Sequence, residues 1–233
     1  MLKTKVVVNR YVIYIQCQYS LGPNPTFFVN MEDCNIVIFS RKILEEMNLK
    51  FLDAKIVKKQ KRRFDMWVSI DVEADGVCPG LYSMICFGAV IVDDKLDKTF
   101  YGQLMPISDE WIPEALAVSG FTREQTMAFP DPKETMGKFR DWISQNNIGR
   151  PMFIADNNGF DWQFINYYFH AFLGENPFGY SSTNLGSLFK GMQKSMKVSF
   201  KYLRKTKHSH DPVQDALGNA EAFWEMQKMG LRV

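Results

Sequence analysis

Residues 66–74 read MWVSIDVEA, an apolar run that carries two acidic residues near its end, Asp71 and Glu73. Because side chains alternate between the two faces of a β-strand, both carboxylates are expected on one face, about 6.5 Å apart at the Cα atoms. Carboxylates at the end of an apolar strand lose hydration and repel each other unless an opposite charge compensates them. A divalent cation would provide that charge, although ordinary carboxylates at a solvated strand end are also typical of this pattern.

Strands and helices alternate in the chain after this segment. The predicted elements are strands at 85–92, 99–104 and 151–155, and helices that begin after Asp131, after Gly159 and after Asp211. Asp followed by Pro, at 131–132 and again at 211–212, is typical of a helix N-terminus. This order predicts an α/β fold in which helices flank a mixed β-sheet on both faces.

Residues 1–63 differ from the rest of the chain and predict a small N-terminal α+β domain. The expected features are a Val-, Ile- and Tyr-rich stretch at 6–19, a turn at 22–25, a strand at 35–40 and a short helix at 41–47. Six basic residues crowd into positions 55–63, where they form either a solvated linker or a contact for nucleic acid. No motif decides whether this domain binds RNA, contacts a partner or mediates a homodimer.

The composition is typical of a folded globular protein. Hydrophobic residues make up 46% and aromatic residues 14% of the 233 residues, which excludes a disordered chain because such chains lack large apolar groups. A net charge of +2 gives no strong field around the whole molecule, so any site for nucleic acid must come from local basic clusters. No apolar run is long enough for a membrane-spanning helix, and no membrane partner is expected. The four cysteines form no CxxC pair, so reduced thiols and a cytoplasmic location are expected.

Two later motifs add further acidic and basic groups. Residues 157–161 read NNGFD, which places Asp161 in the first turn of a helix that follows a strand. Residues 210–215 read HDPVQD, in which Asp211 caps a helix and leaves His210 just outside it and Asp215 about one turn inside it. Each motif alone has an ordinary explanation, because acids near a helix N-terminus complement the helix dipole and loop histidines are often solvated.

Together the three motifs read D-x-E, N-x-G-F-D and H-x-x-x-x-D, each at a strand end or a helix start. In this order they resemble the DEDDh 3′-5′ exonucleases, a group with an RNase H-like fold that includes proofreading exonuclease subunits, RNase T and oligoribonuclease. The resemblance runs from about Met66 to Met229, so an exonuclease domain is expected at residues 64–233. VSGFTRE at 118–124 is also similar to the family's hydrophobic-His-Gly-Ile-Thr-x-Glu segment. The chain departs from the family at Ala74, Asp156 and Pro212, where Thr, His and Ala respectively are common.

The resemblance implies a metal site made of acidic side chains. Asp71, Glu73 and Asp215 would hold one Mg²⁺ or Mn²⁺ ion. Asp71 would bridge to a second ion, and Asp161 would support that ion directly or through water. None of the three departures from the family pattern removes one of these ligands, so they affect the expected substrate contacts more than the chemistry.

The resemblance also implies roles for the histidines. His210 would deprotonate the attacking water, a role that suits histidine at neutral pH. Glu73 would in addition accept a hydrogen bond from the terminal 3′-hydroxyl of the substrate. His208 is the rival base, but the family's spacing to the final Asp favours His210 and leaves His208 as a structural or solvated neighbour. His170 lies on an aromatic helix and is expected to pack.

The expected substrate is single-stranded RNA or a short oligonucleotide, with RNA favoured over DNA and a 5′-mononucleotide as product. The candidate substrate contacts are Tyr82, Met84, Asn157, Phe160, Lys201 and Arg204. The last two belong to a stretch of seven basic residues between positions 190 and 207, which either binds phosphates or solvates a helix. Tyr82 and Met84 could equally pack in the core. A non-catalytic nucleic-acid-binding protein and a phosphodiesterase for cyclic or dinucleotides are the alternative functions.

Overall fold

The structure is a computed structural model that describes residues 65–146 and 149–233 in full. Within the first 64 residues it describes the backbone of five strands. By its internal contacts the chain divides into two compact units, Met1–Arg63 and Phe64–Val233.

The first unit contains an antiparallel sheet. Its strands are β1 (Lys3–Val8), β2 (Tyr11–Gln16), β3 (Phe27–Met31), β4 (Asn35–Phe39) and β5 (Ile56–Lys58), paired in chain order. The strand predicted at 35–40 is confirmed by β4. The turn predicted at 22–25 and the helix predicted at 41–47 lie outside the described residues.

The second unit contains a mixed five-stranded sheet. Its strands are β6 (Asp65–Ala74), β7 (Met84–Ile91), β8 (Thr99–Gln103), β9 (Arg150–Ala155) and β10 (Ser182–Asn184), in the spatial order β10-β9-β6-β7-β8. The central strand β6 pairs antiparallel with β7 and parallel with β9. The strands predicted from residue 66 onward are therefore present, and the segment MWVSIDVEA forms the centre of the sheet.

Helices cover both faces of this sheet, as predicted. They are α1 (Pro113–Val118), α2 (Arg123–Thr126), α3 (Pro132–Gln145), α4 (Asn158–Leu173), α5 (Leu185–Met192) and α6 (Pro212–Lys228), with a 3₁₀ turn at Lys201–Leu203. One apolar cluster joins β6 residues such as Val68 and Ile70 to Phe139 of α3 and Phe164 of α4. A second cluster on the other side of the sheet joins Ile154 to buried residues of α5 and α6.

Capping aspartates begin the two helices predicted from Asp-Pro pairs. The Asp131 side chain accepts a hydrogen bond from the Lys133 N–H, and Asp211 accepts from the N–H groups of Val213 and Gln214. Proline occupies the first turn of both helices, where its missing N–H costs nothing. The start of α6 is therefore fixed at residue 212, and this places Asp215 inside its first turn.

Two further sequence expectations concern the cysteines and membranes. Cys78 and Cys86 are free thiols, whereas Cys17 and Cys34 lie outside the described residues. Among the helices of the described part of the chain, none combines the length and apolar character that crossing a membrane requires.

Candidate active site

The first acidic pair lies on the central strand of the sheet. Asp71 and Glu73 stand opposite Gly88 and Cys86 of β7, near the end of the apolar strand. Asp71 is partly exposed, and Glu73 is only 8% exposed. Oxygen atoms of Asp71, Glu73 and Asp215 all lie within 4.8 Å of one another. The two motif acids on β6 therefore share a face, as the strand periodicity predicts, and Asp215 of α6 reaches the same point.

A glycine allows α6 to approach the sheet this closely. A Cβ atom at Gly88 would lie 2.3 Å from the carbonyl carbon and oxygen of Pro212 and 2.4 Å from the Val213 nitrogen. No side chain fits in that space, so only glycine lets the first turn of α6 lie against β7 beside Asp71. The close contact explains how Asp215 comes within ligand distance of the β6 carboxylates.

Replacing Gly88 by alanine is expected to displace the first turn of α6 and to lower any activity of the acidic site at least about tenfold. Overpacking of this kind costs about 1–3 kcal/mol of unfolding free energy, so the melting temperature should also fall. Thermal unfolding and a kcat/KM measurement test this. Gly137→Ala is the matched control, because a Cβ there meets nothing within 4 Å. An active, fully stable Gly88→Ala variant would contradict the role of this contact.

The loop before α6 wraps around the Asp215 carboxylate. Asp215 is 1% exposed and accepts hydrogen bonds from the N–H groups of Ser209 at 3.0 Å and His210 at 2.8 Å. His210 has a φ of 60°, a left-handed conformation that costs a non-glycine residue about 1–2 kcal/mol. The hydrogen bond to Asp215 helps to hold His210 in this conformation.

The fourth acid enters from α4. Asp161 lies in the first turn of that helix, is 3% exposed, and accepts a hydrogen bond from the Val72 N–H at 3.0 Å. Val72 lies between Asp71 and Glu73 on β6, so Asp161 is held beside the acidic pair. The structure therefore brings together all four acids that the motifs single out.

Burial and mutual repulsion make this cluster unfavourable when it is ionised. Burial, followed by the charges of Asp161, Asp215 and Glu73, raises the pKa of Asp71 well above its ordinary value. Burial also raises the pKa of Glu73 to about 7 and that of Asp161 to about 8. A divalent cation would compensate these charges, and hard oxygen ligands are the ones that Mg²⁺ and Mn²⁺ prefer.

Two histidines lie at the mouth of the cluster. The Nδ1 atom of His208 is 2.9 Å from Oδ2 of Asp215, and the Nδ1 atom of His210 is 3.7 Å from Oε1 of Glu73. Their side chains are 54% and 53% exposed, and the ring centroids are 4.4 Å apart. His210 therefore lies where the sequence places it. The sequence did not predict that His208 contacts Asp215.

Residues 68–223 match the profile of the RNase T family, which is described as an exonuclease family. The chain belongs to this family. Over 177 residues the exonuclease is 35% identical to the 3′-5′ DNA exonuclease Cap18 of Escherichia coli, covering 71% of this chain and 93% of Cap18. The predicted class of enzyme, a hydrolase with 3′-5′ exonuclease activity, is confirmed.

Solved structures with low sequence identity show the same fold. The nuclease domain of 3′hExo, a DEDDh family member bound to rAMP, has a TM-score of 0.59 at 18% identity, with 72% of this chain and 95% of that chain covered. Cell-death related nuclease 4 has a TM-score of 0.61 at 16% identity, with 72% and 65% covered. E. coli ExoI, in a complex with single-stranded DNA, has a TM-score of 0.57 at 16% identity, with 71% and 41% covered. The predicted RNase H-like fold is confirmed.

The raised pKa values predict how the stability of the metal-free exonuclease depends on pH. Unfolded chains release the Glu73 and Asp161 protons near pH 4.5 and 3.8, whereas the folded exonuclease holds them up to about 7 and 8. The folded state therefore binds more protons in this window, and the free energy of unfolding that these groups contribute falls as pH rises through it. We expect Mg²⁺ or Mn²⁺ to raise the melting temperature more at pH 8 than at pH 5.

Thermal unfolding with and without EDTA measures this effect. The Glu73→Gln/Asp161→Asn variant is the control, because it removes both groups and should lose most of the metal-induced shift. An equal shift at both pH values, or none at pH 8, would contradict a cation site built from these carboxylates.

One of the predicted substrate contacts, Met84, is wrong, whereas Arg204 stays a prediction although its side chain has partners within the protein. Met84 is completely buried in the main apolar cluster, and its N–H donates to the Tyr168 hydroxyl, so it packs in the core. The Arg204 side chain is 8% exposed, and its guanidinium forms an ion pair with Asp156 at 3.0 Å and donates to Oδ1 of Asn219. Both side chains are engaged inside the exonuclease. Arg204 thereby compensates the charge of Asp156, which stands where histidine is common in the family.

The other predicted contacts stay predictions. Lys201 and Asn157 are exposed, and Tyr82 is partly exposed. Phe160 is also partly exposed and packs against Phe164, with ring centroids 5.1 Å apart. The packing prediction for His170 is wrong, because that residue is exposed.

Sequence reasoning missed a buried ion pair next to the site. Asp75 is completely buried, accepts from the Ser83 N–H, and pairs with Nη1 of Arg123 at 2.8 Å. Arg123 also donates to the carbonyl oxygen of Ser108 at 2.5 Å. This pair ties the loop after β6 to the segment at 118–124. In the sequence, the one feature that pointed to Asp75 was its position two residues after Glu73, which continues the alternation of Asp71 and Glu73.

A cavity of about 570 Å³ opens beside His210. It is lined by residues 118–121, residues 209–214, Cys86 and Tyr101. Its size falls in the range of small-molecule sites and is sufficient for a nucleotide. The segment that Arg123 anchors therefore forms one wall of a space next to the acidic cluster.

Proposed function

We propose that this exonuclease removes nucleotides from the 3′ end of single-stranded DNA with the help of two Mg²⁺ or Mn²⁺ ions. One observation carries the proposal: oxygen atoms of Asp71, Glu73 and Asp215 lie within 4.8 Å of one another beside two histidines. A protein that only binds nucleic acid has no need for such a repelling cluster. The cluster, however, suits hydrolysis at phosphorus.

The acidic residues would divide the metal sites between them. Asp71, Glu73 and Asp215 would hold one ion, and Asp71 together with Asp161 would hold the other. Paired cations of this kind stabilise the attacking and the leaving oxygen during in-line displacement at phosphorus. The Asp161 carboxylate is already oriented by the Val72 N–H, so it needs little rearrangement for this role.

His210 acts on the attacking water, and Glu73 binds the 3′ end of the substrate. His210 takes a proton from the attacking water, whose oxygen forms a bond to phosphorus while the bond from phosphorus to the penultimate 3′-oxygen breaks. The leaving 3′-oxygen takes up a proton from the solvent, so the products are a 5′-mononucleotide and a strand that is one nucleotide shorter and ends in a 3′-hydroxyl. Glu73, next to His210, accepts a hydrogen bond from the terminal 3′-hydroxyl, which restricts the reaction to strand ends.

The choice of DNA rests on the relative rather than on a contact in the structure. The sequence favoured RNA, which differs from DNA by its 2′-hydroxyl. Cap18, which is 35% identical and 93% covered, is a DNA exonuclease. The cytoplasmic location and the homodimer stay predictions.

Matched DNA and RNA twenty-mers of one sequence, labelled at the 5′ end, test the substrate. We expect Mn²⁺ or Mg²⁺ to produce a ladder that shortens one nucleotide at a time from the 3′ end, at least about tenfold faster for DNA. The Asp71→Asn variant is the blank for contaminating nucleases. Faster loss of RNA would overturn the substrate, and turnover of a dinucleotide alone would favour the phosphodiesterase alternative.

A further inference from the structure

A long segment next to the active site carries only positive charge. Residues 185–210 contain seven Lys and Arg residues and no Asp or Glu. We call residues 190–207 the basic segment. Its charged members are Lys190, Lys194, Lys197, Lys201, Arg204, Lys205 and Lys207. The whole chain has 28 basic and 26 acidic residues, so without these seven the rest has 21 basic against 26 acidic residues, a formal net charge of −5, and the positive excess is local to this segment.

Apolar anchors hold the basic segment on the protein and leave its lysines in solvent. Phe189 and Phe200 are buried in one cluster with Phe223 of α6. Lys194, Lys197, Lys201, Lys205 and Lys207 are all exposed. Within the described part of the chain, Arg204 is the single member of the basic segment that forms an ion pair. Lys205 lies close enough to Glu225 to help lower the pKa of that carboxyl, whereas Lys194, Lys197 and Lys201 form no ion pair within the described residues.

An aromatic ring projects from the middle of this surface. Tyr202 is 70% exposed, although its ring packs edge-on against buried Phe189 with centroids 6.0 Å apart. Proteins that bind single strands without sequence preference combine basic grooves with aromatic rings on which bases stack. Met196, 78% exposed, lines a groove of about 350 Å³ together with Lys190 and Lys194. The basic segment therefore offers both phosphate and base contacts.

The basic segment leads along α6 into the active site. The N–H groups of Lys205 and Thr206 donate to Glu221, each at 2.7 Å. The Thr206 carbonyl oxygen would be 2.8 Å from a Cβ atom at Gly218. His208 and the residues after it then reach Asp215. Contacts at 221, 218 and 215 step back along α6 by about one turn each, some 9 Å in all.

We propose that the basic segment binds the part of a single-stranded nucleic acid that lies on the 5′ side of the 3′ end in the active site. The inference rests on the proposed function, because the 3′ end must be held at the acidic cluster. Lysine ammonium groups bind the phosphates, and Tyr202 stacks on a base. Long strands should therefore bind more tightly than fragments that fill the active site alone.

Binding of the full chain to labelled oligonucleotides in EDTA tests this proposal. The test variant is Lys194→Gln/Lys197→Gln/Lys201→Gln. The matched control is Lys95→Gln/Lys133→Gln/Lys138→Gln, which removes the same charge from exposed lysines outside the basic segment. For a twenty-mer, the slope of log Kd against log salt should be reduced by about 2 in the test variant, because each lost contact contributes about 0.7. Its Kd at low salt should rise about tenfold or more, and a four-mer should show a much smaller change.

The aromatic contact is tested separately from the charge. Tyr202→Ala should raise the Kd for the twenty-mer about tenfold, whereas Tyr202→Phe should keep it near the wild-type value, because stacking needs the ring and not the hydroxyl. Equal slopes for the two triple variants, or equal losses for the four-mer and the twenty-mer, overturn the proposal. Because EDTA prevents hydrolysis, lysine-dependent binding without nuclease activity would contradict the proposed function alone.

Discussion

Replacing Asp71 by asparagine is expected to reduce 3′-5′ exonuclease activity by about 10³-fold or more. Asp71 belongs to the group of carboxylates whose oxygens lie within 4.8 Å of one another, and its amide replacement is a poorer ligand for a divalent cation. Metal stabilisation of the charge at phosphorus contributes several kcal/mol, and about 4 kcal/mol corresponds to 10³-fold in rate. A 3′-labelled oligonucleotide with saturating Mn²⁺ measures the loss.

A thermal measurement separates this loss from misfolding. Burial and the neighbouring acids raise the pKa of Asp71, so its ionised form destabilises the metal-free protein at pH 8. Asp71→Asn should consequently melt at the same or a higher temperature in EDTA, although it is inactive. Asp109→Asn, at an exposed position, should change neither property. Activity within tenfold of the wild type would remove Asp71 from the proposed metal site.

The sequence could predict the site because its parts are local patterns at the ends of regular elements. Strand alternation places Asp71 and Glu73 on one face, and Asp-Pro capping fixes the start of α6 and hence the position of Asp215. Neither pattern predicts the contact between α6 and the sheet that brings Asp215 to Asp71 and Glu73. That contact depends on Gly88, whose missing side chain lets α6 touch the sheet. The sequence does not show which element will pack against a glycine in an apolar strand.

Which side chains are buried was harder to predict from the sequence than where the strands and helices lie. Arg204 lies among lysines in sequence, yet its guanidinium turns inward to Asp156 and Asn219, which are 48 and 15 residues away. Asp75 and Arg123 are also 48 residues apart. Pairs of this kind form only when distant elements come together, so no local pattern predicts them. The preference for RNA or DNA could not be predicted for a related reason. It depends on a few hydrogen bonds to the 2′-hydroxyl of the sugar.

His210→Ala is expected to reduce kcat by about 10²–10⁴-fold, the usual contribution of a general base. The Nδ1 atom of His210 is 3.7 Å from Glu73, too far for a hydrogen bond, so the half-exposed ring is available to a water molecule. His208 instead contacts Oδ2 of Asp215 at 2.9 Å, which is typical of a group that orients a metal ligand. His208→Ala should therefore reduce kcat less, and should mainly raise the metal concentration needed for half-maximal activity.

Metal titration distinguishes the two histidines, because excess Mn²⁺ can refill a weakened cation site but cannot replace a missing base. We expect saturating Mn²⁺ to restore most of the activity of His208→Ala and to leave His210→Ala inactive. His170→Ala, at an exposed position on α4, is the control and should titrate like the wild type. If the two variants behaved the other way round, His208 would be the base and His210 the orienting residue. The 4.4 Å between the ring centroids makes that exchange geometrically feasible, so the titration decides the assignment.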